Sequence, residues 1–228
     1  MNPRPLSRQR ATSIHKPLRG VSSWTSQLLA GAFLVSGLCS PLVAREIEVV
    51  LGITPACPYG ITACWAGACE ALGELEGIKK VAKDPDAYNC TADVLVKDGF
   101  FPDPARWQEQ LAALVGKQHI LRGVEITAGG VLEREGGELV LKLKAGRTLR
   151  LGELRHKLQW NFVKQRPRGP EPEEAEAYRT LIDRLARQPK GKPLEVRITG
   201  PLLQQDKEAV LEVREFLTFE HDGSEKPE

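Results

Sequence analysis

The sequence predicts an α+β protein made of two parts that follow an export signal. Three observations lead to this prediction. The first 44 residues have the composition of a secretory signal, the middle segments alternate between strand and helix periodicity, and the last part is dominated by short alternating strands. We therefore divide the chain into residues 1–44, 45–128, 129–219 and 220–228.

The first segment has the layout of a signal peptide. Residues 1–44 hold five basic residues and no acidic one, and an apolar run from Leu28 to Cys39 is followed by Pro41. This layout predicts cleavage after Ala44 and a periplasmic or secreted mature chain. The alternative is an uncleaved anchor, because the stretch from Trp24 is almost long enough to span a bilayer. We expect contact with a membrane only in that case.

Cleavage changes the charge of the chain. The basic count falls from 32 to 27 while all 30 acidic residues remain, so the formal net charge changes from +2 to −3. A mature chain with this balance gives no sign of nucleic-acid binding. Four cysteines remain, an even number, as disulfide pairing requires.

Residues 45–128 are predicted to follow the order βαββαβ. Alternating apolar residues indicate strands at 45–54, 78–83, 90–97 and 119–127, and helical spacing indicates a helix over 61–75. A second helix begins after Asp103 as N-cap with Pro104 in its first turn, and Gly116 ends it. This order is that of the ferredoxin-like split unit.

Residues 129–219 are predicted to form a small β-barrel with one helix. Strands are expected at 139–143, 148–154 and 194–199 and around Leu211 and Val213, with a helix over 172–187. With the strand from His119 included, the order is β-β-β-α-β-β, which resembles a small OB-like barrel. The strand near residues 120–128 is expected to serve both halves. The polar tail, residues 220–228, is predicted to be disordered.

Several residues of the first half match a known family. Gly52-Ile53-Thr54 opens the loop after the first strand, and Ala71-Leu72, Leu75 and Gly77-Ile78 follow Cys64. On these motifs, residues 46–128 resemble heavy-metal-associated domains, which bind soft metals through two cysteines in this loop. Cys64 aligns with the second of the two. Ile61 stands at the position of the first, so the resemblance leaves Cys57 as a displaced candidate.

The predicted topology gathers four residues of metal-ligand type at one edge of the sheet. In a ferredoxin-like sheet the end of the first strand lies beside the starts of the third and fourth strands. Cys57 follows the first strand, Cys90 begins the third and His119 begins the fourth, while Cys64 lies in the first turn of the helix. Cys69, five residues further along this helix, is expected to point elsewhere.

Three interpretations of this edge remain open. A Cys57–Cys90 disulfide is favoured because the chain is exported, and it would stabilise the fold by about 3 to 4 kcal/mol. Alternatively, Cys57, Cys64, Cys90 and His119 bind zinc or copper. In the third interpretation Cys64, near a helix N-terminus, acts as a redox thiol.

The sequence favours a role without catalysis. It contains no serine-histidine-aspartate pattern, no phosphate-binding loop and no evident pair of catalytic carboxylates, so we assign no catalytic residue and no organic cofactor. We expect an exported binding or assembly protein with a disulfide-stapled ferredoxin-like domain and a protein partner of unknown identity. The alternatives are a periplasmic soft-metal binding protein and a thiol–disulfide oxidoreductase. Tyr59 is assigned to a turn in preference to the alternative of a recognition surface, and Trp160 is a candidate for the exposed face of the barrel.

Overall fold

The N-terminal half is a four-stranded antiparallel sheet with two helices. A computed structural model of the chain describes residues 47–56, 59–189, 191–205 and 208–219. The elements of this half are β1 (Ile47–Pro55), α1 (Trp65–Gly73), β2 (Ile78–Val81), β3 (Thr91–Val96), α2 (Pro104–Val115) and β4 (His119–Glu135). The strands follow the spatial order β2-β3-β1-β4.

Helix α2 begins and ends at the residues that the sequence predicts. The Asp103 carboxylate accepts a hydrogen bond from the Arg106 backbone N–H at 3.1 Å, and Pro104 occupies the first turn. Gly116 follows the helix with a φ of 60°, a left-handed conformation that glycine adopts without steric cost. Trp107 is fully buried against the sheet. The local signals are sufficient here because every partner lies within four residues.

Helix α1 is shorter than the predicted span of 61–75. Its first turn is a separate 3-10 turn, Thr62–Cys64, and the α-helix begins only at Trp65. Cys64 is the N-cap residue and its side chain makes no capping hydrogen bond. The indole N–H of Trp65 donates to the Lys83 carbonyl at 2.7 Å. The start of α1 is therefore fixed by the hydrogen bond from Trp65 to the segment after β2 and not by a capping side chain.

One strand belongs to both halves of the molecule. Strand β4 is 17 residues long and pairs with β1 from His119 to Ala128. Its second half, from Gly130 to Glu135, pairs with β5 (Glu138–Leu143). The expectation that this strand serves both halves is confirmed, and the predicted boundary at residues 128 and 129 falls inside it.

The C-terminal half is a closed five-stranded barrel, as predicted in outline. The barrel contains β4, β5, β6 (Thr148–Glu153), β9 (Leu194–Gln205) and β10 (Glu208–Val213). The order around the barrel is β4-β5-β6-β10-β9 and back to β4, with β6 and β10 parallel and all other neighbours antiparallel. Leu141, Leu149 and Leu211 are fully buried inside it. The α+β class is therefore confirmed.

A long connection joins β6 to the last helix. Residues 154–171 contain only a two-stranded hairpin of β7 (Trp160–Asn161) and β8 (Arg166–Pro167). Helix α3 (Pro172–Arg187) follows, with the bounds that the sequence predicts. A capping box between Glu171 and Glu174 satisfies its first backbone N–H groups.

Strand β11 (Glu215–Phe219) is absent from the sequence-based prediction. It continues from β10 after a bend at Arg214 and pairs with the first part of β9, Glu215 opposite Thr199. Its residues alternate only between exposed and half-buried, so no apolar face signals it. The predicted signal segment, residues 1–44, the tail at 220–228 and Cys57 lie outside the described residues.

Candidate functional site

The end of β1 lies between the starts of β3 and β4. Gly52 pairs with Thr91, and Pro55 pairs with His119. The Ile53 N–H donates to the Cys90 carbonyl at 2.9 Å. The expectation that Cys90 and His119 flank the end of the first strand is therefore confirmed at the level of the backbone.

Cys90 is buried beside this edge. Its thiol lies 3.8 Å from the Ala87 carbonyl oxygen, and its φ of 52° is unusual for a residue with a side chain. Burial raises the pKa of the Cys90 thiol, and the nearby Arg122 opposes this rise. Cys90 is a free thiol in this structure. Because its pKa is raised, it is protonated at neutral pH and is a poor nucleophile.

His119 is the second predicted residue that the fold buries. It shares one face of β4 with the buried Leu121, whereas Ile120 between them is half exposed. The His119 Nδ1 atom has no hydrogen-bond partner among the described residues. Burial lowers the pKa of the imidazole, so the ring is neutral at pH 7. A buried polar atom without a hydrogen bond reduces the free energy of unfolding by about 1–3 kcal/mol. The Nδ1 atom is therefore available to bind a ligand.

The remaining cysteines differ in their surroundings. Cys64 is half-buried at the end of the 3-10 turn. The Cys69 thiol lies 3.9 Å from the Ala82 carbonyl oxygen and lines a separate open groove of about 730 Å³ beside α1. Cys69 is therefore absent from the edge, as the sequence predicts.

The metal and disulfide predictions both depend on Cys57. Within the described ranges no three histidine, cysteine or carboxylate side chains come together as a metal site. Cys57 lies outside those ranges. The ligand set of Cys57, Cys64, Cys90 and His119 therefore stays a prediction, and so does the Cys57–Cys90 disulfide.

Arg122 of β4 makes hydrogen bonds to three segments at the end of β1. Its guanidinium donates to the Thr54 hydroxyl at 3.1 Å, to the Cys90 carbonyl at 3.1 Å and to the Leu158 carbonyl at 2.8 Å. The same group lies 4.9 Å from the centre of the Trp160 ring. Burial lowers the pKa of Arg122 to about 10. Arg122 thus connects β1, the β2–β3 loop and the connection after β6.

A glycine lets this connection approach the sheet. A Cβ atom at Gly52 would lie 2.6 Å from Leu158 Cδ1, closer than two carbon atoms can pack. Leu158 is itself buried. The connection from the barrel therefore returns to cover the N-terminal sheet only because residue 52 has no side chain.

Carboxylates hold the two ends of the connection. Glu212 accepts hydrogen bonds from the backbone N–H groups of Arg155 and His156, both at 2.8 Å. Lys157 pairs with Glu174 at 2.6 Å. Arg214 pairs bidentately with the buried Glu125 at 3.0 and 3.1 Å and reaches Glu174 at 3.4 Å. The connection is therefore anchored to the barrel on one side and to Arg122 on the other.

Three loops form one composite surface at this end of the molecule. The Arg168 guanidinium stacks 3.8 Å over the Tyr88 ring and donates to its hydroxyl at 2.9 Å. The Phe162 ring lies against Gly60, since a Cβ there would be 3.7 Å from Phe162 Cζ. We call this the three-loop surface and define it by residues of the β1–α1, β2–β3 and β6–α3 connections: Tyr59, Tyr88, Phe162, Val163, Lys164, Arg166 and Arg168.

The three-loop surface is exposed and apolar as well as basic. Tyr59 is 82% exposed, Tyr88 72% and Val163 90%. The assignment of Tyr59 to a turn agrees with its backbone, and its exposure is also compatible with the alternative of a recognition surface. Trp160 is half-buried under Arg122, so the expectation that it lies on an exposed barrel face is wrong. A run of basic residues from 155 to 168 without any acidic residue is the sequence signal that indicates this surface.

No protein-family model matches the chain, and comparisons with curated proteins and with solved structures also give no significant match. In the part of the chain that the structure describes, none of the helices has the length and apolar character needed to cross a membrane.

Proposed function

We propose that this chain is an exported, non-enzymatic binding or assembly protein, in which a ferredoxin-like unit and an OB-like barrel share strand β4. The order β2-β3-β1-β4, with two helices, supports the first unit. Four antiparallel pairings and one parallel pairing close the barrel in the order β4-β5-β6-β10-β9, and this closure supports the OB-like unit. The composition of residues 1–44 supports export.

The three-loop surface is the observation that carries the binding role. It joins loops from both halves, and it exposes aromatic, aliphatic and arginine side chains, which are typical of protein-binding hot spots. Large apolar side chains exposed on neighbouring loops lower solubility and are typical of an interaction site. In this proposal the Cys57–Cys90 disulfide would stabilise the loop beside the surface, and the position of Cys90 next to Ile53 supports that pairing.

Site-specific photo-crosslinking tests the binding role. A benzophenone amino acid at Val163 and, separately, at Tyr59 should crosslink to the same species when the full chain is produced in its own compartment. Leu217 on β11 is a matched control, because it is 64% exposed and lies away from this surface. The common species should disappear when Lys164 and Arg166 are both replaced by glutamate. Different species from the two positions, or the same species from Leu217, would contradict the proposal.

A soft-metal binding role is the second candidate, because His119 Nδ1 is buried and has no partner among the described residues, and His119 lies at the same end of β1 as Cys90. In that role Cys57, Cys64, Cys90 and His119 would bind zinc or copper. Elemental analysis of the purified mature chain, together with thiol titration under denaturing conditions, separates the two candidates. One bound metal ion with three or more free thiols supports the metal site, and no free thiols without metal supports the disulfide.

A further inference from the structure

The connection from β6 to α3 carries positive charge that the fold leaves uncompensated. Residues 155–168 contain five lysine or arginine residues and no acidic residue. Of these, only Lys157 pairs with a carboxylate of the described residues. Arg155, Lys164 and Arg166 make no ion pair with the described residues, and the Arg168 guanidinium contacts Tyr88, through its ring, hydroxyl and carbonyl, rather than a carboxylate.

Several basic residues elsewhere in the barrel are neutralised by carboxylates. Lys142 pairs with Glu133 at 2.7 Å and with Glu135 at 2.8 Å. Arg214 pairs with Glu125 and with two further carboxylates. The contrast locates unpaired positive charge at the three-loop surface of a chain whose mature net charge is negative, and such a surface attracts an acidic ligand.

The aromatic and aliphatic side chains of the three-loop surface favour a polypeptide ligand over a uniform polyanion. One face of the Tyr88 ring is covered by the Arg168 guanidinium, and the Trp160 ring lies under Arg122. The bases of single-stranded nucleic acid bind by stacking on free aromatic faces, and each of these two rings already has a guanidinium on one face. Val163 is 90% exposed and can contribute only apolar contact. These features fit a polypeptide that carries both carboxylates and apolar side chains better than a uniform polyanion.

We propose that the three-loop surface binds an acidic segment of a protein partner, an inference that rests on the proposed binding function. Carboxylates of that segment pair with Lys164, Arg166 and Arg168. Its apolar side chains pack on Tyr59, Tyr88 and Val163. The preformed stack of Arg168 on Tyr88 lowers the entropy cost of ordering these two side chains on binding.

Binding of the full chain to four fluorescent probes tests this inference. The probes are a random copolymer of glutamate and tyrosine, polyglutamate of the same length, heparin and oligothymidine. The glutamate–tyrosine copolymer should bind tightest. The double variant Lys164→Glu with Arg166→Glu should bind it at least about tenfold more weakly, whereas Lys79→Glu with Lys80→Glu, on the exposed side of β2, should leave its affinity unchanged.

The variant Val163→Asp separates apolar contact from charge. It should weaken binding of the copolymer by more than it weakens binding of polyglutamate, and equal weakening would overturn the inference. Tighter binding of heparin or oligothymidine would overturn the acidic-protein ligand but leave a binding function in place. If none of the four probes binds, the inference is wrong, and the absence of a common crosslinked species from Val163 and Tyr59 would separately contradict the proposed function.

Discussion

Arg122 and Arg214 lie at the two sides of the β6–α3 connection and are stabilised by different chemistry: Arg122 binds Leu158 of the connection directly, and Arg214 binds Glu174, the partner of Lys157. Arg122 donates to neutral carbonyl and hydroxyl oxygens, and burial lowers its pKa to about 10. Arg214 is surrounded by carboxylates; despite its burial, Glu125 and Glu215 raise its pKa. The charge of Arg122 therefore has no carboxylate partner among the described residues, whereas the charge of Arg214 is balanced by carboxylates.

Replacing each arginine by alanine should reveal this difference most strongly. Arg214→Ala leaves the buried Glu125 without its bidentate partner and should reduce the free energy of unfolding by about 3–5 kcal/mol. Arg122→Ala leaves only neutral groups unpaired and should cost about 2–3 kcal/mol. Urea denaturation measures both. The exposed Arg106, paired with Glu76 at 2.6 Å, is the control, and its replacement should cost less than about 1 kcal/mol.

Equal losses for Arg122→Ala and Arg214→Ala would contradict the comparison, because a neutral hydrogen-bond network would then be as costly to break as a buried ion pair.

Gly52→Ala tests whether the Arg122 end depends on close approach of Leu158. The added methyl group would overlap Leu158 Cδ1 and should cost about 1–3 kcal/mol in unfolding free energy. Gly67→Ala in α1 is a matched control, since nothing lies within 4 Å of the new atom, and it should stabilise the helix by about 0.5–1 kcal/mol. In a background of Leu158→Ala the cost of Gly52→Ala should shrink; an unchanged cost would exclude this contact as the cause.

His119→Leu tests the unpaired imidazole on the other face of the same edge. Removing the orphan Nδ1 atom should raise the free energy of unfolding by about 1 kcal/mol in metal-free protein. Because burial lowers the folded-state pKa of His119 below its unfolded value, the wild type loses stability as the pH falls below about 6.5, and the variant should lose less. Loss of stability together with loss of bound zinc or copper would instead support the metal site.

Glu125 should give the smallest effect, with the opposite pH dependence. Burial raises the pKa of the Glu125 carboxyl by more than the neighbouring Arg214 lowers it, and the nearby Glu215 adds to the rise. The folded state therefore takes up a proton before the unfolded state as the pH falls towards the unfolded pKa of about 4.5, so this group adds stability on acidification. The stability difference between wild type and Glu125→Gln, measured by urea denaturation, should shift in favour of the wild type between pH 7 and 5. A shift in favour of the variant would contradict this.

Local signals account for the elements that were predicted well. Asp103, Pro104 and Gly116 bound α2 through contacts within four residues, and the capping box fixes the start of α3. The strand order placed Cys90 and His119 at one edge because the register of β1 follows from its apolar alternation. Strand β11 gave no such signal, since its residues are all exposed or half-buried.

The sequence by itself determined the α+β class, the boundaries of α2 and α3, and the placement of Cys90 and His119 on either side of the end of β1, because capping and alternation act between near neighbours. Only the tertiary structure decided the three-loop surface and the role of Arg122. That arginine contacts residues 32, 36 and 68 positions away, and no periodic pattern encodes such partners. These partners reach Arg122 because strand β4 belongs to both halves and because Gly52 has no side chain to keep Leu158 away. Both conditions exist only in the folded chain.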